Sequence, residues 1–417
     1  MTAAPGRKAV VVGAGIVGVC SAFTLQREGW AVTLVDPDEP GQGCSFGNAG
    51  VLANTNVAPV AMPGVLAQVP GMLMDPMSPL TIRWSYLPRL MPWLIGFLRA
   101  STPSRVEAIS HALANLSRRV FEDLTPLVEE AGASDLVLRR GYIGVYRNPA
   151  KLAGLRAELA LKRQRGMRVE ELGPDELRQL EPALARDIVG GYHIPDAGHT
   201  VNPLALTQRL VAAFQRRGGI VRRARVLDFA EFGDAGPRSV VTDAGSIPCD
   251  LVVVAAGSYS RALAARLGAD VPLDTERGYH TVLPRPGIEL RMAMMCGDGG
   301  FAITPMATGV RLAGTVEFGG VEAAPNFQRL DPLRKHAKAL LPGLDMRDGS
   351  QWMGRRPSMP DSVPVIGRSP RHRNALLAFG HGHLGLTYAA VTGRLVADLA
   401  ADRAPALDMT PYDPARF

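Results

Sequence analysis

Residues 9–36, AVVVGAGIVGVCSAFTLQREGWAVTLVD, decide the fold. Ala9 to Val12 is an unbroken apolar run, which is what a parallel strand buried on both faces requires. Gly13, Gly15 and Gly18 follow as GxGxxG. The first glycine allows the tight turn, the second lets a pyrophosphate approach the backbone, and the third lets the helix pack close to the strand. Ile16 and Val17 open that helix, whose N-terminus attracts phosphate. A second strand ends at Asp36, 18 residues beyond Gly18, where a carboxylate can hydrogen-bond a ribose hydroxyl. Strand, glycines, helix, strand and acid in this order predict a doubly wound α/β unit that binds a dinucleotide.

At 417 residues, with 47% of them apolar, the chain is long enough for two domains with substantial cores. Its net charge of +7 raises the question of nucleic acid, but only five of the 46 basic residues are lysine. The arginine skew follows composition along the whole chain, and no nucleic-acid-binding motif accompanies it, so no nucleic-acid partner is expected. The four cysteines, Cys20, Cys44, Cys249 and Cys296, form no CxxC pair and do not group with histidines, which predicts buried thiols and no metal site. The N-terminal MTAAPGRKAVVVGAG shows no signal-peptide pattern, so a cytoplasmic protein is expected.

Three later segments extend the unit. CDLVVVAAGS, residues 249–258, is a second apolar strand that runs into Ala256 and Gly257, small enough for a cofactor to pass close to the backbone. It follows GGIVRRARVLDF, residues 218–229, read as one short strand with Val226 near an adenine. In AFGHGHLGLTYAAVTGRLVADL, residues 378–399, a strand ends in Gly380, His381, Gly382, His383, Leu384 and Gly385, and a small-residue helix follows through Leu386 and Thr387. A second glycine-led helix N-terminus suits a flavin, which gains negative charge around N1 and O2 on reduction.

The order GAGIVG, SFGNAG, AAGSYS, GRRPSMPDSVPVIG and GHGHLGLT resembles the D-amino-acid oxidase and glycine oxidase superfamily of FAD enzymes, and within it the bacterial D-amino-acid dehydrogenases. The resemblance implies noncovalent FAD and an FAD domain (1–55, 200–270 and 351–417) interrupted by an α+β substrate domain (56–199 and 271–350) built on an antiparallel sheet. It places Ser45, Asn48, Ala49 and Gly50 beneath the flavin, with Cys44 beside them. It gives Arg356 of GRRP the substrate carboxylate, with Tyr279 assisting. His280 departs from the family pattern and either receives a substrate hydroxyl or is structural. Of His381 and His383, one touches the flavin or closes the pocket and the other is a helix-capping or core residue. The expected reaction is oxidative deamination of D-amino acids. The alternatives are D-proline or cis-4-hydroxy-D-proline, a glycine or sarcosine oxidase using oxygen, and a flavin-binding subunit without turnover.

Without a second GxGxxG, no nicotinamide site is foreseen, and a quinone or electron carrier becomes the expected acceptor. Residues 69–101, which include LPRLMPWLIGFLRAS, form an apolar arm of the substrate domain too short to span a bilayer, which needs about 20 apolar residues. Trp84, Tyr86, Trp93, Arg89 and Arg99 are residues an interfacial segment uses, so the arm is either core, a subunit contact, or a peripheral attachment to the cytoplasmic face of the inner membrane.

Overall fold

The computed structural model describes residues 6–64, 69, 71–72, 74–75 and 77–417. Lys8–Val12 lies inside a six-stranded sheet in the order Ile220–Arg223, Ala31–Asp36, Lys8–Val12, Leu251–Val254, Ala375–Phe379, Val365–Arg368. The first five strands are parallel and the last pair is antiparallel. Ala9–Val12 is buried throughout, as its apolar run demands. The two glycine-led helices, Ile16–Arg27 and Gly385–Ala400, pack on each other where Gly393 meets the first helix. A Cβ at Gly393 would stand 2.7 Å from the Cys20 carbonyl oxygen, so only glycine permits that approach.

A nine-stranded sheet forms the second layer: Trp352–Ser358, Asp274–Leu283, Gly309–Phe318, Phe301–Met306, Ala293–Cys296, Tyr142–Tyr146, Gly190–Ile194 and Glu170–Leu172, with Leu80–Ile82 added beside Gly309–Phe318. It is mostly antiparallel, with two parallel pairings. Its strands come from both 56–199 and 271–350, so the substrate sheet is interleaved with the cofactor unit.

Three features differ from the sequence expectation. Trp352–Ser358, grouped above with the cofactor domain, pairs along its length with Asp274–His280. Residues 218–229 form two strands: Ile220–Arg223 extends the parallel sheet, and Val226 begins a separate three-stranded antiparallel sheet. The helices between 87 and 130 pack on the cofactor unit, because their apolar faces complete its core: Leu124, Leu127 and Val128 join the cluster around the first helix. Leu113 and Leu116 join the one around Tyr388 and Val391.

The apolar arm is resolved into a helix, Leu87–Ala100. Its residues 70, 73 and 76 lie outside the described residues. Pro88 occupies the first turn, where its missing N–H costs nothing, and the donor missing at Pro92 would have met the carbonyl of Pro88, still in that turn. Leu90, Trp93, Phe97 and Ala100 share one buried face. Trp93 stacks on Phe97 at 5.3 Å, tilts against Phe318 at 4.9 Å, and donates its indole N–H to the Ser358 carbonyl at 3.1 Å. The opposite face leaves Met91, Ile95 and Leu98 44%, 42% and 44% exposed, with Trp84 just before the helix at 70%. Among the described residues no helix is long and apolar enough to cross a membrane.

The two faces separate in a stability measurement. Trp93→Ala should cost about 3–5 kcal/mol in urea unfolding, whereas Ile95→Ser should change stability by less than about 0.5 kcal/mol. Similar losses at both positions would contradict the facial assignment.

Candidate active site

The glycine turn fits a pyrophosphate. Gly13 has φ +105° and a Cβ there would lie 2.4 Å from the Ala255 carbonyl oxygen, so strand, turn and neighbouring strand are in backbone contact. A Cβ at Gly18 would fall 1.8 Å from the Gly13 carbonyl oxygen, which ties the helix to the turn. Gly15 caps a helix with no acidic residue in its first turn and no side-chain cap. Ser45 Oγ accepts the Ile16 N–H at 2.9 Å, bringing the 41–50 loop to that helix N-terminus, beside Val17. Asp36 accepts the N–H groups of Ala14 and Asp38 at 2.7 and 2.9 Å, and burial raises its pKa against those hydrogen bonds.

Farther along, Gly257 and Gly382 are left-handed, at φ +56° and +54°, and a Cβ on either would meet nothing within 4 Å. These two glycines leave open space that close packing does not need, beside Ala256 and the helix Gly385–Ala400, so the residues present fit a flat ring system. Leu386 turns its side chain into the core and the Thr387 hydroxyl donates to the Val51 carbonyl, which leaves the backbone as the part of this helix start free to meet a ligand. Val226 packs against the core cluster that includes Val35 and Val240.

The loop carrying Asn48, Ala49 and Gly50 is rigidly held. Asn48 Oδ1 accepts the Gly50 N–H at 2.8 Å, and the Arg311 guanidinium donates to the carbonyls of Phe46 and Asn48. Gly50, at φ +80°, abuts Met306 and the Thr200 carbonyl. Cys44 donates its thiol to the Arg355 carbonyl at 2.8 Å, and burial pushes its pKa up to about 11. A protonated, hydrogen-bonded thiol is a poor nucleophile for covalent flavin attachment.

Arg356 stands on the face of the substrate sheet that looks toward these glycines. Its guanidinium lies over Gly278, where a Cβ would come within 2.2 Å of Nη2, and it donates to the carbonyls of Thr315 and Gly314 at 2.9 and 3.3 Å. Glu276 is its direct cross-strand neighbour. Burial lowers the Arg356 pKa, and Glu276 and Cys44 pull it back up. A crevice beside it is bounded by Asn56, Glu276, Ser358, Met359 and the Gly380–Leu384 segment. His383 is accessible to solvent, yet burial pulls it down to about 4, with Arg356 adding to the shift. That combination marks a side chain lining an internal recess. Its Nε2 is 3.1 Å from Asn56 Nδ2.

The other sequence candidates are placed elsewhere. Tyr279 falls on the opposite face of its strand, because side chains alternate along a strand and Gly278 and Glu276 take the Arg356 side. Its hydroxyl donates to Glu317 and accepts the Asn326 N–H, so it does not assist Arg356. His280 is on the Arg356 side but is buried, stacked on Trp352 at 4.8 Å with Nδ1 on the Gly47 carbonyl at 3.0 Å. It holds the 45–50 loop in place. His381 is buried and bonded to Thr392 Oγ1 at 2.9 Å, which leaves His383 as the solvent-accessible histidine of the recess. Glu276, Gly278, Asn56 and Arg311 were missed. A charged residue alternating with glycine in TERG was the signal available for the first two.

Comparison with known proteins gives the class. The model of the DAO family, FAD-dependent oxidoreductases, matches residues 8–399, so the chain belongs to that family and takes FAD as its cofactor. It is 41% identical over 422 residues to a protein of Bradyrhizobium diazoefficiens named D-amino-acid oxidase, covering 99% of both chains. It is 35% identical over 433 residues to D-amino acid dehydrogenase 2 of Ralstonia nicotianae, covering 97% of this chain and 99% of that one. Among solved structures it resembles L-proline dehydrogenase from P. horikoshii, with a TM-score of 0.76, 19% identity, and 99% and 98% of the two chains covered. Glycine oxidase from Geobacillus kaustophilus gives 0.73 at 22% identity over 99% of both chains. At these identities the two solved structures show a shared fold.

Buried histidines give a pH prediction. Burial pulls His199 down to about 4, helped by Arg140, and holds His280 and His381 at about 3, with Arg311 adding to the shift at His280. Each is neutral when folded and binds a proton on unfolding below its ordinary value of 6.5. Their stabilisation is therefore complete above that value and is lost as the pH falls toward the folded values. The loss approaches about 1.4 kcal/mol per pH unit for each histidine. Urea unfolding at pH 7, 6 and 5 should show the decline, with a shallower slope in His280→Phe. A flat profile would rule it out.

Proposed function

We propose that this oxidoreductase deaminates D-amino acids oxidatively and passes the electrons to a membrane quinone. The observation that carries the first part is Arg356: a guanidinium held by two backbone carbonyls over a glycine, its charge felt by His383 and its cross-strand neighbour Glu276 bordering the recess at the Gly380–Leu384 segment. Arginine has five N–H donors in a planar fork, and two bonds to carbonyls leave the others for a carboxylate. The relatives' names supply the substrate class, D-amino acids.

FAD supplies the two-electron acceptor for the Cα–H bond. The chain's own contribution is orientation: Arg356 fixes the carboxylate, and the recess wall at Asn56, His383 and Met359 fixes the rest. His383, held neutral at neutral pH, adds no second cation beside Arg356 and leaves room for an amine. The hydroxyproline reading rested on His280, which is engaged with Gly47 and Trp352.

Support for the second part comes from the helix Leu87–Ala100. Trp84, Met91, Ile95 and Leu98 expose an apolar ridge with Arg89 and Arg99 at its borders, the composition of an interfacial helix. Its buried face bonds directly to Ser358, two residues from Arg356.

Arg356→Ala should lose about 2–5 kcal/mol of transition-state binding, with Lys a poor substitute, read as the second-order rate of anaerobic flavin reduction by D-alanine. Wild-type reduction in Arg356→Ala would refute the assignment. Acid precipitation should release the yellow colour into the supernatant, whereas colour retained in the pellet would point to Cys44. For the membrane, the suitable variant is Trp84→Ser with Met91→Ser, Ile95→Ser and Leu98→Ser, which spares the packed Leu94 and Phe97. It should leave anionic liposomes and lose quinone reduction while keeping turnover with a soluble dye. A wild type that ignores liposomes would end the membrane reading.

A further inference from the structure

We infer that Glu276 receives the substrate's α-ammonium group, takes one proton from it, and so prepares the neutral amine from which hydride can depart. The inference rests on the proposed oxidation of α-amino acids. Glu276 is buried, lies directly across from Arg356 in the antiparallel pairing, and borders the same recess as His383 and Gly382. Its Oε1 accepts the Ser358 hydroxyl at 2.6 Å, which orients the carboxylate and leaves Oε2 for a ligand.

Opposite charges one strand apart normally close into an ion pair. Here the Arg356 guanidinium is drawn to the carbonyls of Thr315 and Gly314 and makes no hydrogen bond to Glu276 among the described residues. A cation and an anion thus stand on the same face of neighbouring strands, Glu276 at the recess and Arg356 next to it, about 4.5–5.5 Å apart at Cβ for such a cross-strand pair. An α-amino acid carries its carboxylate and ammonium on one carbon, so both charges meet their complements at once. A basic side chain extending from the substrate would place its charge several bonds from the carboxylate and could not use Glu276 while Arg356 holds that carboxylate.

The step balances. An N–H bond of the ammonium breaks, its proton goes to Glu276 Oε2, and the electron pair stays on nitrogen. When the Cα–H bond breaks, hydride with its two electrons leaves for FAD, and the nitrogen pair forms the C=N bond of an iminium. The substrate is oxidised by two electrons and FAD is reduced by two. The charged and titratable groups around Glu276 are Arg356 on the next strand, His381 and His383 from the glycine segment, Asp274 with the Tyr86 hydroxyl on its own side, and Cys44 across Arg356.

The test is stopped-flow reduction of the FAD-loaded enzyme by D-alanine from pH 6 to 10. In Glu276→Gln, reduction at pH 7 should be slower by roughly 10²-fold or more. Its rate should then climb with pH until the amine deprotonates in solution, converging on wild type near the top of the range. Propionate, a carboxylate without nitrogen, should perturb the flavin absorbance of wild type and Glu276→Gln at the same concentration, while D-alanine at pH 7 binds the variant more weakly. Should Glu276→Gln lose FAD, Glu276→Asp carries the test through the same recovery at high pH. An unchanged rate at pH 7, or a loss equal at every pH, would overturn the inference. A wild type that no D-amino acid reduces at any pH would instead overturn the proposed function.

Discussion

The antiparallel register between Asp274–Leu283 and Trp352–Ser358 is the constraint on which the site depends. It sets Glu276 opposite Arg356 and Gly278 opposite Gly354, and alternation then assigns every neighbouring side chain to a face. A slip of one residue would move Arg277 and Tyr279 to the recess and turn Glu276 and His280 toward the Glu317 side. The two glycines act together in this register. Without a Cβ at Gly278 the Arg356 guanidinium can lie flat on the sheet, and without one at Gly354 the Trp352 ring can fold back to meet His280 and Phe46. The aromatic group so formed supports the 45–50 loop, so the strand pair that carries Arg356 also fixes that loop.

Parts of this were legible in the amino-acid order and parts were not. The turn at Gly13, Gly15 and Gly18, the acid at Asp36 and the glycine-led second helix are determined within short stretches, and each was read correctly as to element. Arg356 came through the resemblance, since a lone arginine in a strand is more often a surface cation. Tyr279 and Glu276 could not be sorted that way. Which of them faces Arg356 depends on the partner strand, and nothing in RGYH states the register. Pro88 falls in the first turn of LPRLMPWLIGFLRAS, where a missing N–H is tolerated, and Pro92 lies inside the helix and gives up one bond, yet the segment is a continuous helix. Its attachment to the cofactor unit was equally hidden, because the complementary surface at Tyr388 and Val391 comes from the other end of the chain.

That helix answers two demands with its two sides. Leu90, Trp93 and Phe97 fill space between the C-terminal helix and Phe318, joining the two layers. The outward ridge contributes nothing to this core, so its apolar character needs another cause. Trp84 and Met91 could be polar at no cost to packing. That exposed ridge is the surface on which the proposed membrane contact rests.

The separation of Glu276 from Arg356 also has a structural cause. Thr315 is β-branched yet sits at φ +60°, in a bulge where the pairing shifts between Arg277 and Tyr279. A conformation of this kind costs about 1–3 kcal/mol and persists only when its surroundings impose it. Its effect is to turn the Thr315 and Gly314 carbonyls toward Arg356. Two carbonyl acceptors stabilise the guanidinium without neutralising it, whereas a closed pair with Glu276 would cancel both charges and present the substrate with neither. The strained bulge, the bare glycine and the unclosed pair thus act together: the guanidinium rests on backbone carbonyls, and the Glu276 carboxylate is left to the Ser358 hydroxyl.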